Sequence, residues 1–108
     1  MEKRFTIQMA GLSVRLSHRY AHVRTLCRDY IVDEPETGAD ICVSTTPEEI
    51  AKECARATDE PLPPAHAEAL CLYRAIAEQL PAYDRMVFHG AAIEWQGRAY
   101  LFAAPSGT

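Results

Sequence analysis

An α/β domain, with about five strands in a mixed sheet and three helices, is the fold that three observations predict. Apolar residues alternate with polar ones near the start of the chain, and two apolar runs flank a Gln-Gly pair near its other end. A period of two belongs to a half-buried strand. Between them lie stretches whose apolar residues recur at steps of three and four, the period of a helix face. Turn-forming clusters separate these stretches, and none is long enough to link two domains. A length of 108 residues suits one domain, which hides roughly two-thirds of its unfolded surface.

The first element is "RFTIQMAGLSVRL". Phe5, Ile7 and Met9 alternate, then Leu12, Val14 and Leu16 do so one step out of phase. The slip falls at Ala10-Gly11 and predicts a bulge or a tight turn, because Gly tolerates the backbone angles both need. "SHRYAHVRTLCRDYIV" then places Tyr20, Val23, Cys27 and Tyr30 on one helical face, with Leu26 beside them. Arg19, Arg24 and Arg28 lie mostly off that stripe and are read as a solvated basic face, with an anion site as the sharper alternative. "DEPETGAD" combines Pro, Gly and four acids, and predicts a surface loop. Its acids lack the spacing of a calcium loop.

"ICVSTT" is a short β-branched strand. "TPEEIAKECARA" opens a helix: Thr46 caps the Glu49 N–H, and Pro47 suits the first helical position. Ile50 and Cys54 form its buried side. "TDEPLPP" breaks that helix. The next runs from about residue 65 to 80, with an apolar stripe of Ala69/Leu70, Tyr73, Ile76/Ala77 and Leu80, ending near Pro81. Last, two apolar runs flank Gln96-Gly97, which predicts a hairpin. Residues 99–104 are apolar on both faces, the pattern of a strand in the middle of a covered sheet.

A net charge of −4 argues against nucleic acid, which favours a basic face. The first residues lack the apolar core of a secretory signal, and no stretch reaches the about 20 apolar residues of a membrane span. Cys27, Cys42, Cys54 and Cys71 make no CxxC pair and match no zinc spacing. They are read as reduced thiols in a cytoplasmic protein, with no metal site. His18, His22 and His66 have no Cys or carboxylate at ligand spacing and are read as surface or core residues. Trp95 is read as packing, and Glu94 as facing solvent.

The chemistry-bearing stretch is "LFAAPSGT". A phosphate loop reads G-x-x-x-x-G-K-[ST] after a strand. Its backbone N–H groups curl around phosphate oxygens, and the helix that follows presents its positive end. Ala104 takes the first Gly position, and Pro105, Ser106, Gly107 and Thr108 take the four variable ones. Ser106 lacks the second Gly of a nucleophile elbow, G-x-S-x-G. His89, in an apolar strand, reads by itself as a hydrogen-bonded core histidine.

"FHGAAIEWQGRAYLFAAPSGT" resembles the HPr kinase/phosphorylase family, which shares its fold with the phosphoenolpyruvate carboxykinases. His89-Gly90, Gly97, Tyr100-Leu101-Phe102 and Ser106-Gly107 follow that family's order of strand, hairpin, strand and loop. The step from His89 to Ala104 also matches. The likeness covers residues 86–108. Residues 1–85 resemble more loosely the N-terminal portion of bacterial relatives. Two departures stand out: Ala104 replaces Gly, and the second Gly, the Lys and the hydroxyl residue would fall beyond Thr108.

The resemblance implies an ATP- and magnesium-dependent kinase acting on a protein or peptide hydroxyl. His89 would face the phosphates, and Ala104 to Thr108 would form the loop entrance. It further implies that these 108 residues are the N-terminal fragment of that kinase, cut inside the loop, inactive alone and holding no ATP tightly. The last strand would then lie near the middle of the intact sheet, and its open edge would invite a homo-oligomer. Two alternatives stay open: a non-catalytic protein- or peptide-binding domain, and a carboxykinase-like enzyme acting on a small molecule.

Overall fold

The computed structural model describes residues 2–56, 60–87 and 91–102. Its first two strands, β1 (Lys3–Met9) and β2 (Leu12–His18), pair antiparallel from Lys3↔His18 to Met9↔Leu12. Ala10 and Gly11 between them have φ of 49° and 76°, the two left-handed positions of the tight hairpin turn that suits twisted strands. The phase slip is therefore a chain reversal. It sets Phe5 opposite Leu16, Ile7 opposite Val14 and Met9 opposite Leu12, so both alternating sets share one face. Ala holds its left-handed angle at a steric cost that Asn largely avoids. Ala10→Asn is expected to raise the unfolding free energy by about 0.5–1 kcal/mol, read as a higher urea midpoint at constant slope.

Two further strands complete a four-stranded mixed sheet in the order β3-β1-β2-β4. Strand β3 (Ile31–Val32) runs antiparallel to β1, and β4 (Ile41–Val43) runs parallel to β2. Ile41 pairs with Val14 and Val43 with Leu16, which carries the apolar face across to β4. The other face is held by the acidic loop. Asp40 accepts from the Ser13 N–H at 2.9 Å and from its hydroxyl at 3.2 Å. Arg15 grips both carboxylate oxygens of Glu34 at 2.6 and 3.0 Å, and the Thr6 hydroxyl adds a third bond at 3.2 Å. The predicted surface loop is thus pinned to the sheet by two of its acids.

The stretch after β2 departs from its predicted single helix. Only Ala21–Leu26 is α-helical (α1); a 3-10 turn at Arg28–Tyr30 follows and delivers the chain into β3. Ser17 and His18 still belong to β2. Ile31 and Val32 are β-branched, and they pair with Ile7 and Thr6 on the edge of β1. The described residues form six strands, against about five expected. Val23 is buried and Cys27 half-buried as the stripe predicts, but Tyr20 and Tyr30 are exposed.

Helix α2 (Pro47–Ala55) starts where the sequence predicts. The Thr46 hydroxyl accepts the Glu49 N–H at 3.1 Å, and Pro47 is the first helical residue. Ile50 is buried and Cys54 half-buried. Glu53 is buried too, against Arg74 at 2.9 Å and Arg56 at 3.5 Å. Helix α3 (Pro64–Gln79) runs on into a 3-10 turn at Leu80–Tyr83, closed by Asp84 in a left-handed conformation. The predicted stripe is rotated on this helix. Ala67, Leu72, Ile76 and Leu80 are the buried apolar positions, whereas Leu70 and Tyr73 are 44% and 56% exposed. Nearly every turn of α3 offers apolar residues on a wide arc, and the sheet covers only part of that arc.

Strands β5 (Ala91–Trp95) and β6 (Arg98–Phe102) form a separate two-stranded antiparallel hairpin. Gln96 and Gly97 turn it with φ of 51° and 74°. The predicted hairpin is present at the predicted turn. Among the described residues β6 is nevertheless not a central covered strand: it pairs with β5 alone, and residues 98–101 are exposed. No helix among the described residues is long and apolar enough to cross a membrane.

Candidate functional site

Helices α1 and α3 both lie on the apolar face of the four-stranded sheet, and a gap remains between them. The gap is a groove of about 790 Å³. Its floor is Ile7, Met9 and Leu16; its walls come from Leu26 and Tyr30 on one side and Leu70 and Tyr73 on the other. It is open, because those four wall residues are between 44% and 60% exposed. Soluble proteins seldom leave so many large apolar side chains together at the surface unless something binds there.

Two histidines stand at this groove. The rings of His22 on α1 and His66 on α3 lie 4.3 Å apart between centroids, tilted by 37°. Both were expected as surface or core residues, and both line the groove. Their meeting has no signal in the sequence, since 44 positions separate them. His18 is buried at the end of β2, with its ring edge against Phe5. Its Nδ1 sits 2.9 Å from the Tyr20 carbonyl. A carbonyl can only accept, so Nδ1 is the donor in this contact. The ring's Nε2 is buried and meets no partner among the described residues.

The most buried charged group is Glu68 on α3, fully shielded from solvent. Its two oxygens accept the backbone N–H groups of Arg19 at 2.7 Å and Tyr20 at 3.1 Å. Those donors belong to the link between β2 and α1, where no strand or helix partner serves them. Glu68 therefore holds α1 against α3 and sets the width of the groove. Arg24, expected on a solvated basic face, places its guanidinium 5.5 Å from the Phe5 ring centroid, a cation–π contact.

All four cysteines are free thiols. Burial pushes the thiols of Cys27 and Cys71 above the usual range, so neither is an activated nucleophile at neutral pH. Among the described residues no three His, Cys, Asp or Glu side chains gather as a metal site would require.

The carboxyl of Glu34 is held below the ordinary range, first by its hydrogen bond from Arg15. That of Glu53 is lowered likewise, first by Arg74. Such groups favour the folded state only while ionised. Their contribution is whole above the unfolded carboxylate value, about 4.3, and is lost as pH falls through the lower folded values. The urea midpoint is expected to drop as pH falls below about 4.5, and Glu34→Gln is expected to make that drop shallower.

His89, Ala104, Pro105, Ser106, Gly107 and Thr108 lie outside the described residues. The structure describes the hairpin between them. Glu94 on β5 is exposed as expected, whereas Trp95, expected to pack, is 61% exposed and faces Tyr100 at 6.3 Å between ring centroids.

Fold and site together define a small mixed-sheet α/β domain with an open apolar groove and an exposed apolar hairpin. No family model, no curated protein and no solved structure matches this chain.

Proposed function

We propose that this chain is the N-terminal part of an ATP-dependent protein or peptide kinase of the HPr kinase-like class, inactive by itself. The observation that carries the reading is the hairpin. Strand β5, the Gln96-Gly97 turn and strand β6 follow each other in register, and β6 leads straight into residues 103–108. That is the order in which His89-Gly90, a Gly turn, an apolar strand and a Ser-Gly loop occur in the resembled family. ATP, when bound with magnesium, supplies the γ-phosphoryl group and the charge neutralisation. The chain's own part is to present backbone N–H groups of the Ala104–Thr108 stretch, Pro105 excepted, to phosphate oxygens, with His89 orienting them or moving a proton. The free cysteines fit a reducing, cytoplasmic setting.

The coding sequence beyond codon 108 tests the reading. Gly-Lys-Ser or Gly-Lys-Thr at the next codons completes the loop, and the longer chain is then expected to turn over magnesium-ATP onto a protein or peptide hydroxyl. Any other continuation, or a stop, overturns it. ATP turnover directed to a small carboxylic acid instead would favour the carboxykinase-like alternative. Magnesium-dependent turnover by the 108-residue chain would overturn the expectation that it is inactive alone.

A further inference from the structure

The chain carries two apolar surfaces that none of the described residues covers. One is the groove between α1 and α3. The other is one face of the β5–β6 hairpin. Strand alternation and the register put Ile93, Trp95 and Tyr100 on that face, with Arg98 opposite Trp95 at its turn end, and the Trp95–Tyr100 ring contact places those two as neighbours there. These three side chains are between 41% and 61% exposed. A two-stranded hairpin is marginal in water and gains independent stability only by packing against something else.

We propose that the two surfaces cover each other between two copies of this chain: the hairpin of each copy lies in the groove of the other, in a symmetric dimer. The proposal stands on the groove and the hairpin and does not rest on the kinase reading.

Three arguments favour this occupant. First, the chemistry matches. The groove floor is Ile7, Met9 and Leu16, with no charged side chain, and the hairpin face offers aromatic and aliphatic groups. Second, the area suffices. Leu26, Tyr30, Leu70 and Tyr73 in the groove and Ile93, Trp95 and Tyr100 on the hairpin are each about half exposed. At about 200 Å² for a fully exposed large side chain, one contact covers roughly 700 Å² and the two symmetric contacts about 1,400 Å². That falls within the about 1,200–2,000 Å² of specific, stable interfaces. Third, the groove is a trough rather than a closed cavity. A small apolar molecule would be wrapped on one side only, whereas small-molecule sites bury about 70–90% of their ligand. A flat two-stranded hairpin fills a trough and roofs it.

A closed pair of this kind is isologous: each copy gives one hairpin and one groove, and no apolar surface of the two kinds is left over.

The test uses the 108-residue chain as it stands. Light scattering is expected to give a dimer at micromolar concentration. Leu70→Glu in the groove and Trp95→Glu on the hairpin change exposed side chains, so both variants are expected to keep the wild-type circular dichroism. Each is expected to be a monomer. Independently of any variant, an equal mixture of ¹⁴N- and ¹⁵N-labelled wild-type chains is cross-linked. Hairpin peptides are then expected to be joined to α3 peptides of the other isotope. A monomeric wild type, a dimer that survives either substitution, or hairpin–α3 cross-links confined to one isotope each overturns the proposal. The last result would mean that the hairpin folds onto its own groove.

Discussion

Glu68→Ala is expected to lower the unfolding free energy by about 3–5 kcal/mol. The carboxylate is fully buried and accepts the Arg19 and Tyr20 backbone N–H groups at 2.7 and 3.1 Å. Removing it leaves two part-buried donors without their acceptor, at up to about 1–3 kcal/mol each, and opens a cavity at a fully buried side chain. Glu68→Gln keeps one acceptor oxygen but turns an NH₂ toward the second donor. It is expected to cost about half as much. Urea unfolding at neutral pH measures both. The loss has a structural signature too. With the clasp gone, α1 is expected to lose amide-exchange protection before α3 does, because α1 is only six residues long and cannot persist alone. Equal costs for Ala and Gln would show that packing rather than hydrogen bonding holds the link.

Leu72→Ala carries the second large effect. Leu72 is fully buried in the cluster that joins α3 to the sheet residues Phe5, Ile7, Val14 and Leu16. Truncating a core leucine costs the transfer free energy of the lost atoms and that of the cavity left behind, about 3–5 kcal/mol in all. The next residue supplies the control. Tyr73 is 56% exposed in the single chain, and in the monomeric Trp95→Glu background Tyr73→Ala is expected to cost less than about 1 kcal/mol. The contrast between these neighbours measures which face of α3 meets the sheet. A reversed order would restore the stripe that the sequence predicts and contradict the observed packing.

That stripe shows where sequence reading reaches its limit. Ala69, Leu70, Tyr73, Ile76, Ala77 and Leu80 have helical spacing, and so do Leu72, Ile76 and Leu80. Periodicity identifies the helix but cannot rank two overlapping apolar arcs. The sheet chose the second, and the first became a wall of the groove. The same limit explains β3. Two residues, Ile31 and Val32, are too few to show a period, and their strand exists only because the edge of β1 is there to pair with. The groove itself has no local signal, since its residues come from both strands of the first hairpin, from α1 and the 3-10 turn after it, from α3, and from Leu62 and Val87.

The candidate loop differs in kind. Its residues were singled out by motif and by family resemblance, and they lie outside the described residues. The hairpin ahead of it was legible because its turn is a local event. Gln96-Gly97 and Ala10-Gly11 each place a glycine at the second left-handed position, with φ of 74° and 76°. Each does so between strands that pair with their nearest neighbour in sequence.

The sequence by itself determined the mixed α/β class, the hairpin at Gln96-Gly97, a break in the first alternating stretch at Ala10-Gly11 and the start of α2 at Thr46-Pro47. These rest on interactions within a few residues: a left-handed glycine, a side-chain cap, a proline with its ring already set, an alternating strand. The tertiary structure alone decided the buried face of α3, the edge strand β3, the Glu68 clasp and the open groove. Each of these needs partners far apart in the chain, 48 and 49 residues apart for the two Glu68 bonds. A contact at that separation is set by how the whole sheet and its helices pack, and no local pattern encodes it.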